Sequence, residues 1–249
     1  MSATTGLVLL HGSELGGWIW QRLLPLLRHP ALVVDLPGRD SSAADLRALR
    51  LQGHVDHVVR EVEGWTAADR IVLVVHSASG VLAPAVAGAL ATRIAAVVFV
   101  AATVPEPGRS FIDLQPLPAR LLLQVLYRLR PAGTLSPRGE TLRLLCADLD
   151  EQATALVLDR RVPEPRGLLA DRVPTAELTV PVHVVTAADD RAMSQQSQAR
   201  GLARLSAPVL HEVPGGHLAM LAAPSPLAAL LDQIAEDPRA DGSSSTPTG

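Results

Sequence analysis

The chain has 249 residues, of which 48% are apolar and 19% are charged, and its formal net charge is −3. This length suffices for one large globular domain, and the apolar fraction is too high for a disordered chain. All 22 basic residues are Arg, which excludes lysine chemistry. A sequence pI near 6.2 gives no basic footprint for nucleic acid or an anionic membrane surface. The single cysteine, Cys146, cannot form an intrachain disulfide.

Targeting patterns are not recognisable in the sequence. The first residues lack the basic region of a signal peptide, and the longest uncharged apolar run, Ile94–Val104, is too short to span a membrane. The polar composition of 237–249 predicts a disordered tail. We therefore expect a cytoplasmic protein with no nucleic-acid partner and no membrane partner.

Short apolar runs alternate with longer helical patterns along most of the chain. The runs are rich in Val, Leu and Ile without polar alternation, as in strands that are covered on both faces. They are Leu7–His11, Ala31–Leu36, Ile71–His76, Ala95–Ala101, Val182–Thr186 and Val209–Val213. The helical patterns between them are Trp18–Arg28, Leu51–Trp65, Gly80–Ala91, Ser194–Leu205 and Ser225–Ile234. This alternation predicts an α/β fold with a mainly parallel six-stranded sheet flanked by helices.

The alternation is interrupted once, between Pro105 and Pro181, where no strand is predicted. Four helical patterns separated by Pro-rich turns fill this stretch, and they are Ala119–Arg130, Glu140–Ala147, Glu151–Arg161 and Gly167–Arg172. We interpret 105–181 as a helical cap inserted into a core formed by 1–104 and 182–236. Long insertions of this kind fall where ligands bind in open α/β sheets. The alternative is a helical bundle that only thickens the core.

The segment Ile71–Gly80, with the sequence I-V-L-V-V-H-S-A-S-G, carries the strongest local signal. A strand that runs through a serine into a helix is the setting of a nucleophile elbow, which raises the hydroxyl above the sheet. Ser77 is then the nucleophile, and the backbone N–H of Ala78 is one donor to a developing oxyanion. Val75 and Ser79 occupy the two glycine positions of G-x-S-x-G. The alternative is that Ser77 only caps the helix.

Two later strands also end in polar residues that suit catalysis. Asp189 and Asp190 follow one strand, and Gly215-Gly216-His217 follows the next. A serine is a weak nucleophile, so a neutral imidazole must accept its proton, and a carboxylate must orient that imidazole. The chain order of serine, acid and histidine is that of the α/β-hydrolase triad. His217 is the predicted base.

With these motifs the chain resembles the α/β-hydrolase superfamily, nearest to the compact plant methylesterase and hydroxynitrile-lyase type. The resemblance covers about Gly6 to Ile234. The matching motifs are L-V-L-L-H-G-S-E-L-G-G-W-I-W-Q-R-L-L-P-L-L at Leu7–Leu27, V-V-D-L-P-G at Val33–Gly38, V-F-V-A-A-T-V-P-E-P-G at Val98–Gly108, L-L-C-A-D-L-D-E-Q-A at Leu144–Ala153 and P-G-G-H-L-A-M-L at Pro214–Leu221.

The resemblance also assigns residues to roles. It places the second oxyanion donor at Ser13, directly after His11-Gly12, and the catalytic acid at Asp190. Asp189 and Glu106 remain alternative acids. No group of His, Cys or Asp has metal-ligand spacing, and no residue pattern calls for a cofactor.

A small-molecule substrate is expected between the core and the cap. Gly12 and Trp18 are predicted at the pocket, together with Leu122, Val125 and Leu126 from the cap. If the apolar stripe of Leu121, Leu122, Val125 and Leu129 faces Ser77, the pocket is lined by aliphatic groups.

Three functions are compatible with these residues. The favoured one is a serine hydrolase that cleaves a carboxylic ester, lactone or thioester through an acyl-enzyme. The second is a natural-product tailoring enzyme, in which the pair of Ser77 and His217 acts as a base in an elimination, lyase or cyclisation step. The third is a ligand receptor without catalysis, which has no need of an intact Ser, Asp and His set.

Overall fold

The computed structural model describes residues 3–39, 43–174, 177–193 and 195–237. The predicted tail therefore lies outside the described residues, except for Asp237, and so does Ser194 of a predicted helix. Six strands form one sheet: β1 (Thr5–Leu10), β2 (Ala31–Val34), β3 (Arg70–His76), β4 (Ile94–Val100), β5 (Val182–Ala187) and β6 (Val209–Val213). All neighbouring strands are parallel, in the order β2-β1-β3-β4-β5-β6, which confirms the predicted fold class.

The sheet is covered on both faces because β1, β3 and β4 are apolar along their interior, with polar residues only at their ends, at Thr5, Arg70 and His76. Alternate residues of β1 enter two separate core clusters: Val8 belongs to one cluster, and Leu7 and Leu9 belong to the other. This alternation follows from the period of two in a strand. It explains why continuous apolar runs mark the buried strands of this chain.

The described helices comprise α1 (Ala43–Ala48), α2 (Leu51–Gly64), α3 (Ala83–Ala89), α4 (Leu117–Leu129), α5 (Arg138–Leu144), α6 (Glu151–Arg160), α7 (Arg166–Ala170), α8 (Gln195–Leu202), α9 (Ala219–Ala222) and α10 (Pro224–Ala235). α2 and α3 pack on one face of the sheet and α10 on the other. None of the helices in the described ranges is long and apolar enough to cross a membrane.

Two predicted helices differ from the structure, one throughout and one only in its first turn. The Trp18–Arg28 pattern forms two short 3₁₀ helices, Gly17–Trp20 and Leu24–Leu26. Pro25 interrupts this stretch, since proline lacks the N–H that a continuous helix requires. The Gly80–Ala91 pattern begins as a 3₁₀ helix and becomes α-helical only at α3.

The cap segment, 105–181, contributes α4 to α7, and the only bridge between extended residues in its described part joins Thr134 to Glu164. Its treatment as a separate unit stays a prediction. The predicted apolar stripe of α4 is exposed at Leu121, Leu122, Val125 and Leu129, and of these four only Leu122 lines the cavity that contains Ser77. Tyr127 is the buried residue of this helix. α4 carries apolar residues around most of its circumference, so its periodicity alone could not identify the buried face.

Candidate active site

Ser77 stands directly after β3, at a turn with strained geometry. Its φ of 55° lies in the left-handed region that non-glycine residues rarely adopt. The Ser79 hydroxyl closes this turn, since it accepts from the His76 N–H at 3.0 Å and donates to the His76 carbonyl oxygen at 2.8 Å. The Ser77 carbonyl oxygen accepts from the N–H of Thr103 at 3.0 Å. Strain of this kind, held by surrounding hydrogen bonds, is typical of functional sites.

Other segments of the backbone approach this turn closely at two glycines, Gly12 and Gly80. Neither of them is at position 75 or 79. A Cβ at Gly12 would lie 2.8 Å from the Ser77 Cβ, and a Cβ at Gly80 would overlap the carbonyl oxygen of Thr103. Val75 is fully buried in the core, and Ser79 supplies the turn hydrogen bonds. The departure from G-x-S-x-G therefore leaves a sharp turn in place.

His217 lies between Ser77 and Asp190. Its Nε2 atom is 2.9 Å from the Ser77 Oγ, and its Nδ1 atom is 3.0 and 3.1 Å from the two carboxylate oxygens of Asp190. In a neutral imidazole with this tautomer, Nδ1–H donates to Asp190 and Nε2 accepts from the Ser77 hydroxyl. The side chains of His217 and Asp190 are only 3% and 1% exposed, so water competes little with these bonds.

The other two candidate acids lie elsewhere. Asp189 is exposed, and Glu106 forms an ion pair with Arg204 at 2.8 Å. The structure thus brings Asp190, and neither alternative, to the histidine. Which of the two consecutive carboxylates, Asp189 or Asp190, reaches His217 depends on how the chain turns after β5.

Several hydrogen bonds hold Asp190 in its ionised form. Burial by itself raises the pKa of this carboxyl group, but the hydrogen bond from His217 and those from the backbone N–H groups of Met193 and Ala192 outweigh it. Its pKa is therefore lowered from the usual value. The two backbone bonds measure 3.0 and 2.8 Å and fix the orientation of the carboxylate.

Two residues that sequence reasoning did not assign also hold the histidine loop. The Nε2–H of His76 donates to the carbonyl oxygen of His217 at 3.0 Å, and the two rings lie 4.8 Å apart. Burial, with the nearby His217, lowers the pKa of His76 to about 3, so its ring is neutral. In the cap segment, the Asp148 carboxylate accepts from the N–H of Gly216. No local motif signals either contact, because both depend on chain folding.

The turn that carries Ser13 is held by hydrogen bonds to both backbone groups of the next residue, Glu14. Glu14 has a φ of 64°, its N–H donates to the Glu164 carboxylate at 2.9 Å, and its carbonyl oxygen accepts from the N–H of Val162 at 2.9 Å. Glu164 is fully buried and pairs with Arg39 at 2.9 Å. Buried carboxylates need such partners, and here the pair also positions the turn.

A cavity of about 1190 Å³ opens between these core residues and the cap segment. Ser13, Ser77, Ala78 and His217 line its core side, and the cap side carries Leu122, Leu123, Leu126 and Tyr127. Two of the predicted pocket residues, Leu122 and Leu126, therefore lie in this lining.

The remaining predicted pocket residues lie outside the described lining of the cavity. Gly12 packs behind Ser77. Trp18 instead stacks under the guanidinium of Arg160, at 5.8 Å from the ring centroid. Val125 points to solvent. Within the described ranges, no three His, Cys, Asp or Glu side chains form a group that could hold a metal ion.

The profile of the alpha/beta hydrolase family matches residues 7–230, and the chain belongs to this family. Among curated proteins, the chain is 24% identical to salicylic acid-binding protein 2 of Nicotiana tabacum, over 92% of the chain and 96% of that protein. It is 30% identical to polyneuridine aldehyde esterase of Rauvolfia serpentina over 41% of the chain, and 28% identical to methylesterase 9 of Arabidopsis thaliana over 40%. Each of these two shorter matches spans 40% of the relative.

Solved structures agree with this fold. An extracellular alpha/beta-hydrolase from a Paenibacillus species superposes with a TM-score of 0.81 at 20% identity, over 94% of this chain and 100% of that chain. An Arabidopsis methylesterase superposes with a TM-score of 0.73 at 19% identity, over 92% and 98%. The resemblance to α/β-hydrolases of the plant methylesterase type is therefore confirmed. The cytoplasmic location stays a prediction.

Proposed function

We propose that this protein is a serine esterase that cleaves carboxylic esters of apolar small molecules through an acyl-enzyme. The observation that carries the proposal is His217, which bridges the Ser77 hydroxyl and the Asp190 carboxylate at the wall of a large cavity. The names of the relatives, methylesterases and polyneuridine aldehyde esterase, support the same class of reaction.

In the first half of the reaction, the Ser77 Oγ attacks the carbonyl carbon of the ester while His217 Nε2 accepts the hydroxyl proton. The carbonyl oxygen gains the negative charge, and we assign its stabilisation to the backbone N–H groups of Ala78 and Ser13. When the tetrahedral intermediate collapses, the bond to the alcohol oxygen breaks. His217 gives the proton to that oxygen, and the alcohol leaves.

In the second half, water replaces the alcohol. His217 accepts a proton from the water as the water oxygen attacks the acyl carbon. When this second tetrahedral intermediate collapses, the bond between the acyl carbon and the Ser77 Oγ breaks, His217 returns the proton to Oγ, and the carboxylic acid leaves. Asp190 stays ionised throughout and stabilises the imidazolium form of His217, which is the role that its lowered pKa suits. A lactone or a thioester fits the same steps.

The cavity favours an apolar acyl or alcohol group. Leu123 and Leu126 face it from α4, and its volume of about 1190 Å³ exceeds the size of most ligand pockets. Each further methylene that enters such a lining gains roughly 0.8 kcal/mol. We therefore expect kcat/KM to rise with acyl chain length in a series of p-nitrophenyl esters from acetate to octanoate.

A fluorophosphonate probe with intact-mass analysis tests the nucleophile. The wild-type protein and a Ser206→Ala control, which removes an exposed serine, should each gain one probe adduct. Ser77→Ala should gain none and should lose about 10⁴- to 10⁶-fold in kcat on the best ester. Full activity of Ser77→Ala would refute the proposal. A labelled Ser77 with no hydrolysis of any ester, lactone or thioester would favour the tailoring reaction instead.

A further inference from the structure

The outer face of α4 carries a row of large apolar side chains that no described part of the protein covers. They are Leu117, Leu121, Leu122, Val125 and Leu129, and between 54% and 74% of each residue is exposed. Their spacing places them on one side of the helix, so they form a continuous surface, which we name the α4 stripe. Contiguous apolar surface of this kind marks an interaction site in a monomer.

The sequence around the α4 stripe carries an excess of positive charge. From Gln115 to Gly139 the sequence contains four arginines and no acidic residue. Arg120 is paired with Asp113 at 3.1 Å, whereas Arg128 and Arg130 are exposed at the carboxyl end of the helix. The nearly neutral total charge of the chain hides this local excess. The expectation that the protein has no membrane partner rests in part on that total charge.

The α4 stripe also adjoins the entrance to the candidate active site. Leu117 and Leu122 belong both to the stripe and to the lining of the cavity that contains Ser77. The stripe therefore adjoins the cavity through two aliphatic side chains, although charged residues such as Arg109, Arg120 and Glu140 also line the cavity.

Two other occupants of the stripe are disfavoured. Apart from Met1, the residues outside the described ranges include no large apolar side chain, so the chain offers no segment of its own to cover the leucines. Two copies packed through α4 would bring Arg128 of each copy onto a face without acidic partners, and like charges oppose such a contact.

We propose that the α4 stripe docks on an anionic amphiphile surface, such as a bilayer that contains acidic lipids. A helix with an apolar face and flanking arginines lies in the plane of such a surface, where its apolar side chains enter the acyl boundary and its cations meet the head groups. Docking would place the cavity entrance against the phase in which apolar esters dissolve.

Co-sedimentation with vesicles tests this inference without reference to catalysis. The protein should bind vesicles of phosphatidylcholine and phosphatidylglycerol, and bind vesicles of phosphatidylcholine alone much less. A triple variant, Leu121→Ser with Val125→Ser and Leu129→Ser, should bind at least about tenfold more weakly. Arg128→Gln should weaken binding to the acidic vesicles by about fivefold. A matched control, Leu24→Ser with Leu26→Ser, removes two exposed leucines outside α4 and should bind as the wild type does.

The triple variant separates docking from the proposed esterase reaction. Leu121, Val125 and Leu129 do not belong to the cavity lining, so hydrolysis of a water-soluble ester and the melting temperature should stay unchanged. Equal vesicle binding by wild type and triple variant would overturn the inference. So would light scattering that shows a dimer which the triple variant loses, because the stripe would then be an interface between two copies.

Discussion

Two neighbouring carboxylates after β5 differ in burial, although the sequence does not distinguish them as candidate acids. Asp190 is buried against His217, whereas Asp189 is exposed. We predict that Asp190→Asn lowers kcat by about 10⁴-fold, because an amide favours the wrong imidazole tautomer. Asp189→Asn should keep kcat within about twofold, since surface changes rarely matter. Steady-state kinetics on one ester decide between the two acids.

Asp190→Asn also tests whether the acid acts through His217. The fluorophosphonate reaction of Ser77 should slow in the same variant, since that reaction needs the same proton transfer. If Asp189→Asn proves to be the inactive variant, the assignment of Asp190 as the catalytic acid is wrong.

At the scale of elements, the turn between β3 and α3 depends on a glycine that contacts another loop. A Cβ at Gly80 would overlap the Thr103 carbonyl oxygen, which is backbone and cannot rotate away. We predict that Gly80→Ala lowers the free energy of unfolding by about 1–3 kcal/mol, as overpacking does. Urea unfolding measures the change.

Gly88 in α3 provides a matched control, because a Cβ there would meet no atom within 4 Å. Gly88→Ala should raise the free energy of unfolding by about 0.5–1 kcal/mol, since alanine is the better helix former. Equal effects of the two substitutions would show that the contact between Gly80 and Thr103 does not constrain the turn.

For the whole molecule, buried histidines predict sensitivity to acid. Burial lowers the pKa of His54 and of His76 to about 3, and it lowers the pKa of His11 well below its usual value. The unfolded chain protonates these side chains near pH 6.5, so between about pH 6.5 and 3 it binds more protons than the folded protein. The free energy of unfolding should therefore fall as the pH is lowered through this range, by up to about 1.4 kcal/mol per pH unit for each histidine.

His54 isolates this effect from catalysis. Neither of its ring nitrogens has a hydrogen-bond partner among the described residues. His54→Leu should reduce the slope of the unfolding free energy against pH by the contribution of one bound proton. It should also stabilise the protein at pH 5. Val59→Ala, on the same helix, removes no titratable group and is the control, which should keep the wild-type slope. Urea titrations between pH 5 and 7.5 measure both slopes, and an unchanged slope in His54→Leu would contradict the prediction.

The sequence by itself determined the elements whose signal is local. The strands were predicted to within two residues at each end, because short Val- and Leu-rich runs between helical patterns are typical of parallel strands. The expected burial on both faces is confirmed for β3 and β4 but is wrong for the edge strand β6, where Leu210 is exposed. The proximity of Ser77 and His217 was expected too, since Ser77 directly follows β3, His217 lies in the loop after β6, and parallel strands end at the same edge of the sheet.

Only the tertiary structure decided what depends on distant partners. It brought the Asp190 carboxylate, and not that of Asp189, to His217, and it brought Glu164 to the N–H of Glu14 from 150 positions away in the sequence. It also turned the α4 stripe outward, although the periodicity of α4 fits either orientation. The physical reason is the same in each case. Local patterns determine which residues share a face or follow a strand, whereas packing against distant residues determines which face is buried and which side chains meet.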